Sequence, residues 1–180
     1  MTAYKKIPVR TFFLEKKAPF ECNNTHENRG FAIREIKDIT SNAYLKIYKS
    51  VGGEYGWTSR LMLAEKELQN ILNRKESRLY FLEKNKDFAG FFEAEVCETK
   101  AELLYFGLDE KYLGQGLGKS LMQSVFCAAD QWGIESLSLH TCEYDHAAAL
   151  PFYKTMGFKL IGEKILNEYY PTDFPKNKTG

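Results

Sequence analysis

The sequence is short of several things, and each shortage excludes a class of function. There is no surplus of charge: Lys plus Arg number 25 against 24 for Asp plus Glu in 180 residues. A balanced chain has no large field to steer nucleic acid or an anionic membrane, and its basic runs stop at a few residues. Nucleic acid is therefore not expected as a partner, and any basic patch should be local, for a small anion. Without an acidic surplus, a polycationic substrate is disfavoured too. The four cysteines, Cys22, Cys97, Cys127 and Cys142, form no C-x-x-C pair and read as reduced, mostly buried thiols. His26, His140 and His146 show no H-x-x-x-H spacing, so no metal is expected. No stretch nears the roughly 20 apolar residues of a membrane span, and residues 1–14 lack the apolar core of a signal peptide. The expectation is a cytoplasmic protein without membrane contact.

What is present suits one folded domain over 1–180, since hydrophobic residues make up 44% and charged residues 27%. Residues 1–30 read as an N-terminal extension holding one strand, 9–16, followed by a polar connector over 20–30. A strand is expected over 31–36, and Thr40 or Ser41 can cap a helix over 42–51 that aligns Tyr44, Leu45, Tyr48 and Val51. A second helix is expected over 61–75, with Leu61, Leu68, Ile71 and Leu72 on one side. Segments 78–83, 88–97 and 101–108 read as an antiparallel meander. After the glycine turn at 114–118, Leu117, Leu121, Val125, Ala128 and Trp132 recur at helical spacing up to Gly133. A strand over 136–142, a short helix capped by Asp145 and a strand over 157–166 complete a mixed α/β pattern, and 167–180 reads as an irregular tail.

A strand, a glycine-rich turn and a helix in succession suggest a phosphate on the helix N-terminus. A nucleoside-triphosphate loop, G-x-x-x-x-G-K-[ST], is half present in Gly118-Lys119-Ser120, but Leu113 stands where its first glycine belongs. A dinucleotide fingerprint, G-x-G-x-x-G, fails at Lys119. Gly114, Gly116 and Gly118 fit the third option, closely spaced glycines whose amides curl about a pyrophosphate.

On these residues the sequence resembles the GNAT superfamily of N-acetyltransferases, whose acetyl-CoA loop reads [QR]-x-x-G-x-[GA]. Here the loop is Leu113-Gly114-Gln115-Gly116-Leu117-Gly118, with Leu113 replacing the family's Gln or Arg; Gln115 or Lys119 can supply a polar substitute. Downstream, "DHAAALPFYKTMGF" (145–158) matches the family at Tyr153 and Gly157-Phe158 and resembles a bacterial subgroup with an Asp-His pair. The resemblance spans about residues 30–166. It implies a mostly antiparallel central sheet flanked by helices, with a splayed acetyl-CoA cleft, and acetyl-CoA as co-substrate. It also implies pantetheine contacts to backbone near Phe106, Gly107 and Leu108.

Acetyl transfer to an amine requires a neutral amine, a donor for the oxyanion and a proton or hydrogen bond for the departing thiolate. An alkyl amine has a pKa near ~10, so a base must remove a proton. Glu102 is the first candidate, on a face expected to carry Leu104, Phe106 and Leu108; Glu93 is the second. Tyr153 resembles the family's general acid. His146 is a candidate for pantetheine or pyrophosphate, with a capping role as the alternative. Tyr55 and Trp57, in the loop "GGEYGWTSR", are candidates to wall the acceptor pocket, with glycines 52, 53 and 56 giving the loop mobility. Packing of Trp57 on the core is the competing reading. The expected activity is transfer of acetyl to a primary amine of a small molecule or a protein. A non-catalytic acyl-CoA sensing module is the alternative, and the family resemblance allows a homodimer.

Overall fold

The computed structural model describes residues 3–22 and 30–174. Most of the expected connector, with His26, lies outside the described residues. Eleven elements follow in chain order: β1 (Tyr4–Lys17), β2 (Phe31–Glu35), α1 (Ser41–Gly52), α2 (Glu65–Leu72), β3 (Ser77–Lys84), β4 (Asp87–Cys97), β5 (Lys100–Leu108), α3 (Leu117–Trp132), β6 (Ser136–Cys142), α4 (Ala149–Thr155) and β7 (Lys159–Pro171). The strands form one sheet in the order β2-β3-β4-β5-β6-β1-β7. All neighbours are antiparallel except β5 and β6, as the mixed α/β reading expects.

Local chemistry accounts for the punctuation. Asn85 (φ 52°) and Lys86 (φ 73°) are both left-handed, the two-residue turn that matches the twist of a β3–β4 hairpin. Thr40 caps α1 by accepting from the Ala43 amide. The expected second helix is shorter than its apolar pattern: residues 59–62 form a 3-10 turn, and α2 starts only at Glu65. Its start is fixed by Glu67, which accepts from the Ala64 amide at 3.0 Å. Asp145 does not cap α4, because its carboxylate is turned back to Thr141 and Cys142. Pro151 falls in the first turn of α4, where its missing N–H removes no intrahelical bond.

The two faces of the sheet carry separate cores. α3 buries Leu117, Leu121, Met122, Val125, Phe126, Ala128 and Ala129 on one side, against Leu82, Phe92, Ala101 and Leu103. α1 and α2 cover the other with Tyr44, Tyr48, Val51 and Leu68 on Leu79 and Phe91.

Three expectations are corrected here. The residues 167–171, read as tail, continue β7, because β1 offers a partner as far as Tyr4↔Pro171. That strand of the N-terminal extension lies inside the sheet, between β6 and β7. Cys22 and Cys127, read as thiols, are joined in a disulfide across 105 residues, whereas Cys97 and Cys142 are free; their distance in sequence hid a closeness that only the fold creates. Finally, the β4–β5 register passes from Glu93↔Tyr105 to Ala94↔Leu103, leaving Leu104 without a partner. This bulge breaks the expected alternation. Ala101, Leu103, Phe106 and Leu108 share the α3 side, so Glu102 does not share a face with Phe106 and Leu108.

Beneath the α1 side, Glu93 is 1% exposed. It accepts hydrogen bonds from the Tyr44 hydroxyl and the Arg60 guanidinium. Burial pushes the carboxyl pKa up, while Arg60 and the Tyr44 hydrogen bond oppose that rise. Removing one member of a buried pair strands the other charge, at a cost of about 3–5 kcal/mol. Glu93→Gln is therefore expected to lower the unfolding free energy by about 3 kcal/mol in urea titration; an unchanged midpoint and slope would refute the account of this pair.

Candidate active site

β5 and β6 are paired only from Lys100↔Ser136 to Leu103↔Leu139. Beyond that point Tyr105 to Leu108 pair only with β4, and His140 and Thr141 only with β1, while the Cys142 amide donates to the Asp145 carboxylate. The strands separate, and each presents an unpaired backbone edge to the gap. A cavity of about 620 Å³ opens there, within the size range of ligand sites.

One end of the cavity is the glycine turn. Gly114 (φ 72°) and Gly116 (φ 75°) both take left-handed backbone, and a Cβ added at either would meet no atom within 4 Å. Glycine is needed there for conformation, and the space beside the backbone is open to a ligand. Gly116 stands before α3 with no side-chain cap, so the first amides of a sixteen-residue helix face the opening with their partial positive charge. Gly118 lies within α3 and lines the cavity with Lys119 and Leu113. Of the two polar substitutes considered for position 113, Gln115 is turned away: it donates to the Lys111 carbonyl at 2.9 Å and accepts from Lys84 at 3.2 Å. Lys119 is the cation at the cavity. Leu117 is buried in the core.

The middle of the cavity is lined by Phe106, Gly107 and Leu108 from β5 and by Tyr153 from α4. Tyr153 is 8% exposed, and burial pushes its pKa up. Its phenol therefore stays protonated at neutral pH and is available as a donor. Phe106 packs edge-on against it, with ring centroids 6.1 Å apart. His146 lines the same wall but is held locally: Nδ1 accepts from the Ala148 amide at 3.1 Å, and its ring abuts Tyr55.

The other end is aromatic. Trp57 satisfies both readings of it, lining the cavity while packing on Tyr48, Phe91 and Tyr105. Its indole N–H donates to Asp145 at 3.3 Å, tying the loop after α1 to the turn after β6. Gly52 serves this packing rather than loop mobility: a Cβ there would lie 2.1 Å from the Trp57 ring. Tyr55, Tyr169 and Tyr170 continue the wall. Within the lining, Ser59 bridges the hydroxyls of Tyr48 (3.2 Å) and Tyr105 (2.6 Å).

The two candidate bases are in different places. Glu93 is sealed under the sheet with Arg60 and is not among the cavity's lining residues. Glu102 lies at the fork itself, its carboxylate 3.2 Å from Nδ1 of His140, and His140 lines the cavity. Sequence reasoning weighed His140 only as a metal ligand. Its single signal was a titratable residue ending the alternation of "SLSLHTC", and its partner became visible only with the parallel register of β5 and β6. Among the described residues no group of His, Cys, Asp and Glu side chains is suited to hold a metal.

Open backbone edges, a glycine-bounded helix N-terminus and a buried phenol form a cleft suited to a phosphorylated thioester. Comparison with known proteins agrees. The Acetyltransferase (GNAT) family model matches residues 36–158, and the chain belongs to that family. Over 101 residues it is 32% identical to the [Ribosomal protein bS18]-alanine N-acetyltransferase of Escherichia coli K12, an alignment covering 56% of this chain and 66% of that enzyme. The crystal structure of the E. coli enzyme superposes with a TM-score of 0.60 at 19% identity, covering 78% of this chain and 93% of that one. A Thermoplasma acidophilum N-acetyltransferase in complex with coenzyme A gives 0.54 at 17% identity, covering 78% and 99%. An aminoglycoside acetyltransferase from a soil metagenome gives 0.57 at 16% identity, covering 72% and 89%.

The glycine turn makes a direct prediction. A ligand at 100 times its Kd stabilises the folded state by about 2.7 kcal/mol, so acetyl-CoA is expected to raise the melting temperature visibly and Mg·ATP to leave it unchanged. Gly116→Ala costs about 1–2 kcal/mol through its left-handed backbone and should also weaken acetyl-CoA binding about tenfold, or 1.4 kcal/mol. Calorimetric titration giving an unchanged Kd would remove the turn from the site.

Proposed function

We propose that the chain transfers the acetyl group of acetyl-CoA to a primary amine by direct attack. The observation that carries this reading is the fork between β5 and β6, with the glycine turn at one end and Tyr153 on its wall. The pyrophosphate is placed on the amides before α3, with Lys119 beside it, and the pantetheine runs along the free edge of Phe106–Leu108 as an added strand would. The amine enters from the side of Tyr55 and Trp57. Its nitrogen forms a bond to the acetyl carbon, the carbonyl electrons move to oxygen, and an amine proton leaves toward the Glu102 side of the cleft. Collapse breaks the C–S bond, and the departing thiolate receives a hydrogen bond, then a proton, from Tyr153.

The wall supports one acceptor class over the others. Four aromatic residues, Tyr55, Trp57, Tyr169 and Tyr170, line it. The carboxylate of Asp145 is already engaged by Thr141, Cys142 and Trp57. Glu168 is the other lining carboxylate, and an aromatic pocket with that one further acidic group suits one amine on a largely neutral body better than a polycation. The α-amino group of a protein or peptide fits, and its pKa, near ~8, lies closer to neutrality than that of a lysine. The relative that acts on an alanine of a ribosomal protein supports the same class.

Thiol release should be measured with acetyl-CoA and a panel comprising an alanine-initiated peptide, a lysine derivative and an aminoglycoside. The peptide is expected to turn over fastest. Tyr153→Phe should lower kcat by about 10²-fold, a common size for a lost proton donor, while the Kd for acetyl-CoA stays within about twofold. Tight acetyl-CoA binding with no release for any amine would instead support the non-catalytic sensing module.

A further inference from the structure

The fork holds a proton acceptor that neither the sequence reading nor the family match assigns. The geometry points to His140 as the general base, with Glu102 as the residue that positions it; this rests on the acetyltransfer reading above.

Three observations carry it. First, His140 is the first residue of β6 beyond the last β5–β6 pair, Leu103↔Leu139. It therefore stands at the apex of the gap, and it is one of the cavity's lining residues, whereas Glu102 is not. Second, Glu102 approaches from β5 and meets Nδ1 at 3.2 Å. A carboxylate on Nδ1 fixes the tautomer with its proton there, leaving the lone pair of Nε2 to accept another. Third, the surroundings favour a charged imidazole. The hydrogen bond that the ring donates to Glu102 raises the pKa most, burial opposes it, and the charges of Glu102, Asp145 and Glu168 raise it further. These carboxylates belong to three elements: β5, the turn after β6, and β7. From β1, Phe13 is the strand partner of His140, its ring centroid 6.1 Å from the imidazole, with the Lys164 ammonium over that ring. A base whose conjugate acid is held in this way operates near neutral pH.

In the reaction, the amine nitrogen bonds to the acetyl carbon while one of its protons passes to Nε2 of His140. The imidazolium is stabilised by Glu102, which keeps its negative charge. When the C–S bond breaks, the thiolate takes the Tyr153 proton, and the proton on His140 returns through water to the phenolate. The sum is one amide and one thiol, with no other reactant. Glu102 thus acts through His140, which reconciles its place at the fork with its absence from the cavity wall.

Two measurements test the assignment. One is NMR titration of the His140 ring in the intact protein. Its midpoint is expected above 6.5, the ordinary value for histidine, and should fall in Glu102→Gln because the carboxylate that favours the cation is gone. The same midpoint in both proteins would overturn the pairing, and this readout needs no acceptor. The other is the pH dependence of kcat/KM with saturating acetyl-CoA and the best amine of the panel. The base must be neutral, so the rate should rise as pH passes upward through the His140 pKa, and Glu102→Gln should move that limb to lower pH. A limb belonging to the amine would not move. His140→Gln should lose about 10²-fold in kcat or more with an unchanged Kd for acetyl-CoA; a full rate in this variant would overturn the role. If no amine in the panel is acetylated, the acetyltransfer reading falls and the role of His140 as a base falls with it, while a titration midpoint that still drops in Glu102→Gln would keep the pairing alone.

Discussion

The parallel pairing of β5 with β6, and its termination at Leu103↔Leu139, is the constraint on which the rest of the molecule depends. Two strands that stayed paired would satisfy each other's amides and carbonyls and leave no room between them. Because they separate, each keeps its other neighbour and exposes one backbone edge. Backbone edges inside a cavity are costly unless water or a ligand satisfies them. The fork is thus a structural debt that an extended, amide-bearing arm can settle, and the pantetheine of coenzyme A has that character.

Both flanks hold the fork open. On the β5 side, the bulge at Leu104 turns Phe106 and Leu108 toward α3 and α4, where Phe106 meets Phe152 and Tyr153. On the β6 side, β1 pairs with residues 136–142 along their whole length, so the strand that leaves β5 does not lose its partner. The Trp57–Asp145 hydrogen bond then ties the α1 loop to the turn beyond β6. The two acidic candidates differ in the partners that surround them. Both lie near the middle of the sheet, yet Glu93 is closed in with Tyr44 and Arg60, while Glu102 reaches across the fork to β6.

Much of this was legible in the residues. Strand and helix patterns of period 2 and 3.6 located nearly every element, and the glycines at 114 and 116 marked a turn whose left-handed backbone demands them. What escaped notice depended on partners distant in sequence. Residues 167–171 read as tail, but β1 pairs with β7 as far as Pro171. Cys22 and Cys127 carry no spacing signal, and only the fold brings them together. Strict alternation put Glu102 with Phe106, since a single unpaired residue such as Leu104 leaves no mark in the sequence. His140 has no metal-ligand spacing in the sequence, and only the register of β5 and β6 sets a carboxylate beside it.

Hydrogen exchange with and without coenzyme A tests the central claim most directly, because the claim concerns particular backbone amides. Slowed exchange is expected at Phe106–Leu108 along the β5 edge and at Gly114–Lys119 around the start of α3, with the outer strand β7 unaffected over Lys159–Ile165. Unchanged exchange at both segments, or protection confined to another surface, would contradict it.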